Sequence, residues 1–184
     1  MTDPSIAQPG ATAATGQALS RLPTAKLTRR IGALLYEALL LIAMAFGVGF
    51  VLLPLVSPVG SGSHELVVPR LLARALMGCA LVGGAAIYYG WCWSGGRRTL
   101  PQKTWRLQLV DRDGGPVTWP QAMLRYVAVW IGPAMALAGY STLQTTGHAR
   151  NALAFMLVNY CWALFDRDGQ FLHDRIAGTR VVAT

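Results

Sequence analysis

The chain has 184 residues, 53% of them hydrophobic and 13% charged, with a formal net charge of +8. An average soluble domain is about 25% charged, so the composition excludes an ordinary soluble globule and points to a membrane protein. Nucleic acid is not the expected partner of the basic excess, because the cations flank apolar segments instead of forming one soluble face.

Residues 1–25 are rich in Ala, Thr, Gly and Pro and read as a disordered tail, with the membrane domain expected over 26–184. Thr28 is the expected N-cap of a first helix over about 29–54, ended by Pro54 and Pro58. The apolar run Ile31 to Val56 is too long for a signal-peptide core and reads as a permanent anchor. About 20 apolar residues cross the ~30 Å hydrocarbon layer, and this run is interrupted only by Glu37. An ionised side chain at such depth is disfavoured by roughly 2.5–3.5 kcal/mol on insertion scales. Glu37 is therefore either a functional group facing a partner or water, or an acid that reaches headgroup water and only positions the helix.

Ser57 to Pro69 reads as an exposed loop. A second helix is expected over about 70–93, with Tyr88, Tyr89, Trp91 and Trp93 as an interfacial belt. Its Ala75, Cys79 and Gly83 recur at i, i+4, which suits close approach of another helix or reflects simple tolerance of small residues. All three cysteines, Cys79, Cys92 and Cys161, lie in or beside apolar runs and read as small hydrophobes, not disulfide partners or zinc ligands. Next, a partly alternating stretch, the Asp-Arg-Asp-Gly-Gly-Pro turn at 111–116 and Val117-Thr-Trp119 predict a β-hairpin over about 104–119. Trp105 and Trp119 would anchor it on the membrane surface or on helix ends.

A third helix is expected over about 122–143, with Pro133 freeing a backbone carbonyl near Val129 and kinking the rod. The fourth is expected over about 149–166. Its 15 uncharged residues, Asn151 to Phe165, cover about 22 Å as an α-helix, so it spans only with local thinning and is otherwise re-entrant. Charge placement favours spanning. Four crossings put the basic residues before helix 1, those of 97–112 with Arg125, and Arg167, Arg175 and Arg180 of a tail over 167–184 on one side, which the positive-inside rule makes cytoplasmic. Both termini are then expected inside. The fold class is an all-α membrane protein, a four-transmembrane-helix bundle with a short cytoplasmic β-hairpin between helices 2 and 3.

Arg30 and Glu37 share one helix face two turns apart. Arg125 enters helix 3 from the same side, and Asp166, Asp168 and Asp174 lie in the tail there. Arg30, Glu37, Arg125 and Asp174 thus form an expected polar cluster that either lines a cavity or locks the topology. His173-Asp174 matches phosphohydrolase metal sites only as a dipeptide, with His64 and His148 across the membrane, so no metal and no cofactor is expected. With no Ser-His-Asp set, phosphate loop or paired carboxylates, an enzyme is not expected.

Several stretches together resemble the RDD family of small prokaryotic membrane proteins, named for an arginine and two aspartates. They are Arg-Ile-Gly-Ala-Leu-Leu-Tyr-Glu at 30–37, Thr-Leu-Pro-Gln-Lys-Thr-Trp-Arg-Leu-Gln-Leu-Val-Asp at 99–111, Gly-Gly-Pro-Val at 114–117, Arg125, and Leu-His-Asp-Arg-Ile-Ala-Gly-Thr-Arg-Val-Val at 172–182. The last is the most specific, and the likeness runs from about Lys26 to the end. The resemblance implies that the family arginine is Arg30, its helix-1 aspartate is replaced by Glu37, and its tail aspartate is Asp174. The usual Gly-Lys after Thr-Leu is Pro101-Gln102 here. It implies a bacterial inner-membrane location and, by the usual conjecture, ion, proton or small-solute transport. Four spans are few for a solute path, so a homo-oligomer is expected within the lipid bilayer. The alternative is a non-catalytic adaptor or assembly factor whose basic surface meets a protein partner or anionic lipid.

Overall fold

A computed structural model describes residues 22–56 and 71–184. Most of the expected disordered tail and the loop expected at 57–69 lie outside the described residues. Helix α1 spans Leu27–Val56, α2 Leu71–Trp93, the short α3 Leu100–Thr104, α4 Trp119–Val129 and α5 Ile131–Leu143. Among the described residues three stretches are long and apolar enough to cross a membrane, Leu27–Val51, Arg74–Trp93 and Trp119–Leu143. Helix α1 begins one residue before Thr28 and runs past Pro54 to Val56, two residues short of Pro58, which lies outside the described residues.

The hairpin is not where the turn chemistry suggested. Strand β1, Leu107–Asp111, pairs antiparallel with β2, Thr179–Ala183, in the register Leu107↔Ala183 to Asp111↔Thr179. The turn itself forms: the amides of Asp113 and Gly115 donate to Asp111 Oδ1 at 2.9 and 2.6 Å. It leads, however, into a helix start. Thr118 and Gln121 make a capping box with Pro120 in the first turn, which fixes the backbone for α4 and removes 117–119 from strand pairing. Thr24 bridges to Val182 and the Ala25 amide donates to the Val181 carbonyl at 2.9 Å, so the last residues assigned to the tail are ordered at the sheet edge.

These pairings gather the foot of α1, the 94–118 segment and the C-terminal strand into one cap. The buried core sits there, built from Ala33, Tyr89, Trp93, Leu107, Leu109, Val117, Ala122, Tyr126 and Val181. Trp105 and Trp119 lie against helix ends as expected: a Cβ on Gly32 would meet the Trp105 ring at 2.5 Å, and one on Gly90 would meet Trp119 and Met123 at 2.5 Å. Away from the cap the helices turn large apolar side chains outward, Phe46 and Phe50 being 76% and 81% exposed, as a lipid-facing surface does.

Among the described residues the expected packing stripe of α2 meets no neighbouring helix: Ala75 and Cys79 are exposed, and nothing lies within 4 Å of a Cβ built on Gly83. Helix α2 meets α4 nearer the cap, through Gly90 and a Tyr126 Oη bond to the Val82 carbonyl at 2.8 Å. The close backbone approach occurs elsewhere. A Cβ on Gly132 would lie 2.8 Å from the Met156 carbonyl oxygen, and one on Gly139 would lie 3.0 Å from the Phe155 ring and 3.2 Å from Ala152 Cβ. The 149–164 segment therefore runs antiparallel along α5, back toward the cap.

That segment is not the expected α-helix. It is 3₁₀ over Ala149–Leu157, one α turn, α6, over Val158–Cys161, and 3₁₀ again over Trp162–Leu164. At ~2.0 Å per 3₁₀ residue the segment is about 30 Å long, against about 24 Å as a uniform α-helix. The expected break at Pro133 is present between α4 and α5. Pro133 has no N–H for the Val129 carbonyl, and Asn159 Nδ2 donates to it at 2.8 Å and to the Ala128 carbonyl at 3.2 Å.

Substituting Gly132→Val forces a methyl-bearing carbon into the Met156 backbone. Overpacking of this kind is expected to destabilise by about 1–3 kcal/mol, read as a lower thermal unfolding midpoint in detergent. Gly83→Val, in open space, is expected to leave the midpoint near wild type. Equal effects would contradict the assigned packing.

Candidate functional site

Helix α7, Leu172–Ala177, follows the 149–164 segment and stops at Gly178 in the left-handed region (φ 65°). It brings Asp174 into the cap with 0% exposure. Arg30 of α1 donates from Nη2 to Asp174 Oδ2 at 2.8 Å, and Arg125 Nη1 of α4 lies 2.6 Å from Oδ1. One carboxylate so joins the first helix, the third and the tail. Arg30 Nη1 also donates to the Gly169 carbonyl at 2.6 Å. That carbonyl is presented by a turn in which the amides of Asp168 and Gln170 donate to Asp166 Oδ2 at 3.1 and 2.9 Å.

Aromatic faces complete the surroundings. The Arg30 guanidinium sits 3.8 Å over the Phe171 ring and that of Arg125 4.6 Å over Trp93; such contacts gain strength when desolvated. Two guanidiniums on one carboxylate leave an excess positive charge, which the rings and the Gly169 carbonyl soften but do not cancel.

Glu37 is not part of this lock. Its Oε1 accepts from Thr99 Oγ1 at 2.8 Å. Thr99 is the N-cap of α3, where its hydroxyl accepts from the Gln102 amide at 3.3 Å while its own amide donates to Gln102 Oε1 at 3.0 Å. The capping box consumes the hydroxyl's acceptor role and leaves its proton for Glu37. A cavity of about 430 Å³ opens beside these groups, lined by Arg30, Glu37, Gln102, Arg125, Tyr160 and His173 at polar positions and otherwise chiefly by apolar and aromatic side chains of α1, α2, α4 and α5, with Leu107, Phe171 and Val181 from the cap. With Glu37 ionised, the two arginines and two acids sum to zero charge.

Arg30, Glu37 and Arg125 of the expected cluster line one cavity; Asp174 is not among its lining residues but binds both arginines, so Arg30 takes Asp174 as its partner, not Glu37. Three contributors escaped the sequence reading: Thr99, Gln102 and Asn159. Each had a signal. Thr-x-x-Gln is a capping-box pattern, and an asparagine in an apolar run is the natural donor for a carbonyl orphaned by proline. Among the described residues no group of three or more His, Cys, Asp or Glu is arranged to hold a metal.

His173 is buried beside the lock, where Arg125 Nη2 donates to Nε2 at 3.4 Å; this assigns the ring proton to Nδ1. Burial, opposed by Asp174 and reinforced by the two arginines, pushes its pKa from 6.5 down to about 4. The folded group has the lower pKa, so between these values the unfolded chain binds the extra proton. Stability is fully present above about pH 6.5 and falls as pH drops through the window, by up to about 3 kcal/mol. Unfolding midpoints measured from pH 7.5 to 4.5 are expected to decline, and His173→Gln is expected to flatten the decline. An unchanged slope in that variant would contradict the buried neutral imidazole.

No curated protein and no solved structure matches the chain. The RDD family model matches residues 24–178, a range that holds the whole cavity apart from Val181 and every residue of the lock, and the chain therefore belongs to the RDD family of membrane proteins.

Proposed function

We propose that this protein moves ions or protons across a bacterial inner membrane, with Glu37 as the group that takes up and releases the cation. One observation carries the reading: a carboxylate at membrane depth borders a cavity while a single threonine hydroxyl holds it. Seven residues of helix rise put it about 10 Å beyond Arg30. An acid needed only for assembly would sit inside the ion-pair network, as Asp174 does. Glu37 stands beside that network, where loading with a proton or cation changes the local charge without unlocking the fold.

In this reading the chain crosses the bilayer four times. The 149–164 segment is about 30 Å long by its 3₁₀ rise, as deep as the hydrocarbon layer. It also joins the far end of α5 to a strand that pairs with β1, so it returns to the side it left. Both termini then lie with the basic cap in the cytoplasm. Lining a continuous path with so few spans requires a homo-oligomer.

Proteoliposomes loaded with a pH-sensitive dye and given a sodium or potassium gradient test the role. Wild-type protein is expected to collapse the gradient, and Glu37→Gln to abolish the flux while keeping the unfolding midpoint. Undiminished flux in the variant would reject Glu37 as the site; absence of flux in the wild type would favour a non-catalytic adaptor.

A further inference from the structure

One wall of the cavity beside Glu37 is made of rings. Tyr89 and Trp93 stand one turn apart on α2, and Tyr126 and Trp130 one turn apart at the end of α4, so each pair shares a helix face. Ring centroids lie 4.4 Å apart from Trp93 to Tyr89, 6.2 Å from Tyr89 to Tyr126 and 6.2 Å from Tyr126 to Trp130. All four rings line the cavity, with Tyr160 and Phe171. Given the role of Glu37 as the cation site, on which this step rests, we infer that the cavity binds an amphiphilic organic cation, an amine or a quaternary ammonium. Its charge lies at Glu37 and its apolar body along the rings, in competition with the proton or small ion.

Glu37 supplies the countercharge. Its Oε1 accepts from Thr99 Oγ1 at 2.8 Å, and its Oε2 takes no hydrogen bond among the described residues. Beyond that carboxylate the lining is chiefly ring faces and aliphatic groups, surface that a proton or a small ion would leave unused. Ring faces attract cations, more strongly when water is excluded. The protein already uses this chemistry twice at the same cavity, with Arg30 at 3.8 Å over Phe171 and Arg125 at 4.6 Å over Trp93. Tyr89, Tyr126, Trp130 and Tyr160 carry no such cation among the described residues. Both guanidiniums are buried and held by Asp174. With Glu37 ionised these four charges cancel, so one added positive charge meets no net repulsion.

Size and access agree with such an occupant. A volume of about 430 Å³ falls within the roughly 300–1,000 Å³ of small-molecule sites. Leu35 of α1 and Trp130 at the α4–α5 break line the cavity and are also exposed, so it opens sideways between these elements. With the helices in a bilayer that side faces acyl chains, where an amphiphilic cation partitions and a hydrophilic one does not.

Purified protein in an uncharged detergent is titrated by equilibrium dialysis with tetraphenylphosphonium and, separately, with tetraphenylborate, ions of one shape and opposite charge. The phosphonium is expected to bind saturably and the borate not. Glu37→Gln is expected to weaken phosphonium binding by at least about tenfold. Trp130→Leu, which keeps apolar bulk and removes the ring, is expected to weaken it about threefold, and Trp162→Leu, outside the cavity, to leave it unchanged. No saturable phosphonium binding would overturn the proposal. Equal uptake of the borate, or full affinity in Glu37→Gln, would also overturn it, marking an apolar pocket filled without regard to charge. Should Glu37→Gln fold poorly, the contrast between the two ions and the Trp130→Leu result still decide. Sodium or potassium flux in protein that binds no phosphonium would reject the organic cation and leave Glu37 as the ion site. Phosphonium binding that needs Glu37, in protein without flux, would support the site and tell against transport.

Discussion

The fold turns on Asp174. Its carboxylate has no exposure and faces Arg30 at 2.8 Å and Arg125 at 2.6 Å. Burying such a set is unfavourable in itself, and removing one partner from a buried pair typically costs 3–5 kcal/mol because the other charge is stranded. Here the stranded charge would be two arginines at the junction of α1, α4 and the tail. Elements far apart in the chain are so made interdependent: the tail cannot leave without exposing both guanidiniums, and α1 cannot shift without losing the Gly169 carbonyl and the Phe171 ring as well. Location, more than net energy, is what this arrangement specifies.

With the cap locked, the remainder follows from lipid as a solvent. Apolar side chains face outward along the outer halves of the helices. Helix contact there depends on backbone proximity, as at Gly132 and Gly139, since lipid tails solvate leucine as well as another helix does. Polar backbone must be satisfied internally, and Asn159 does this at the Pro133 break. The same rule explains Thr99, whose hydroxyl serves the start of α3 and Glu37 at once. Glu37 is therefore positioned by a neutral donor while the arginines are held by Asp174. That division leaves a titratable acid at a cavity without making it a structural keystone.

Local signals were legible in the sequence and long-range partners were not. Hydropathy located the three long helices, and the proline rule located the carbonyl at Val129. Thr118 and Gln121 shared their stretch with a strong turn pattern at 111–116, and the turn was the easier feature to see. A strand's partner is set by tertiary pairing, so nothing in 104–119 itself pointed to 179–183. Arg30 and Glu37 share a face of one helix, which invites a pair, yet an aspartate 144 residues from Arg30 took the guanidinium. The small-residue stripe of α2 had the same spacing as a true packing face. What distinguished Gly132 was the neighbour that returned along it. The fourth segment was measured with an α-helical rise, and its 3₁₀ winding came from context.

The central claim is that one carboxylate holds two arginines from two different helices. Double-mutant cycles in detergent measure it directly: unfolding free energies for Asp174→Leu combined with Arg30→Met, and separately with Arg125→Met, each against its single variants. The account predicts coupling well above about 0.5 kcal/mol between Asp174 and each arginine. Additive effects with either arginine would show that Asp174 serves only one of them, and the lock as described would be wrong.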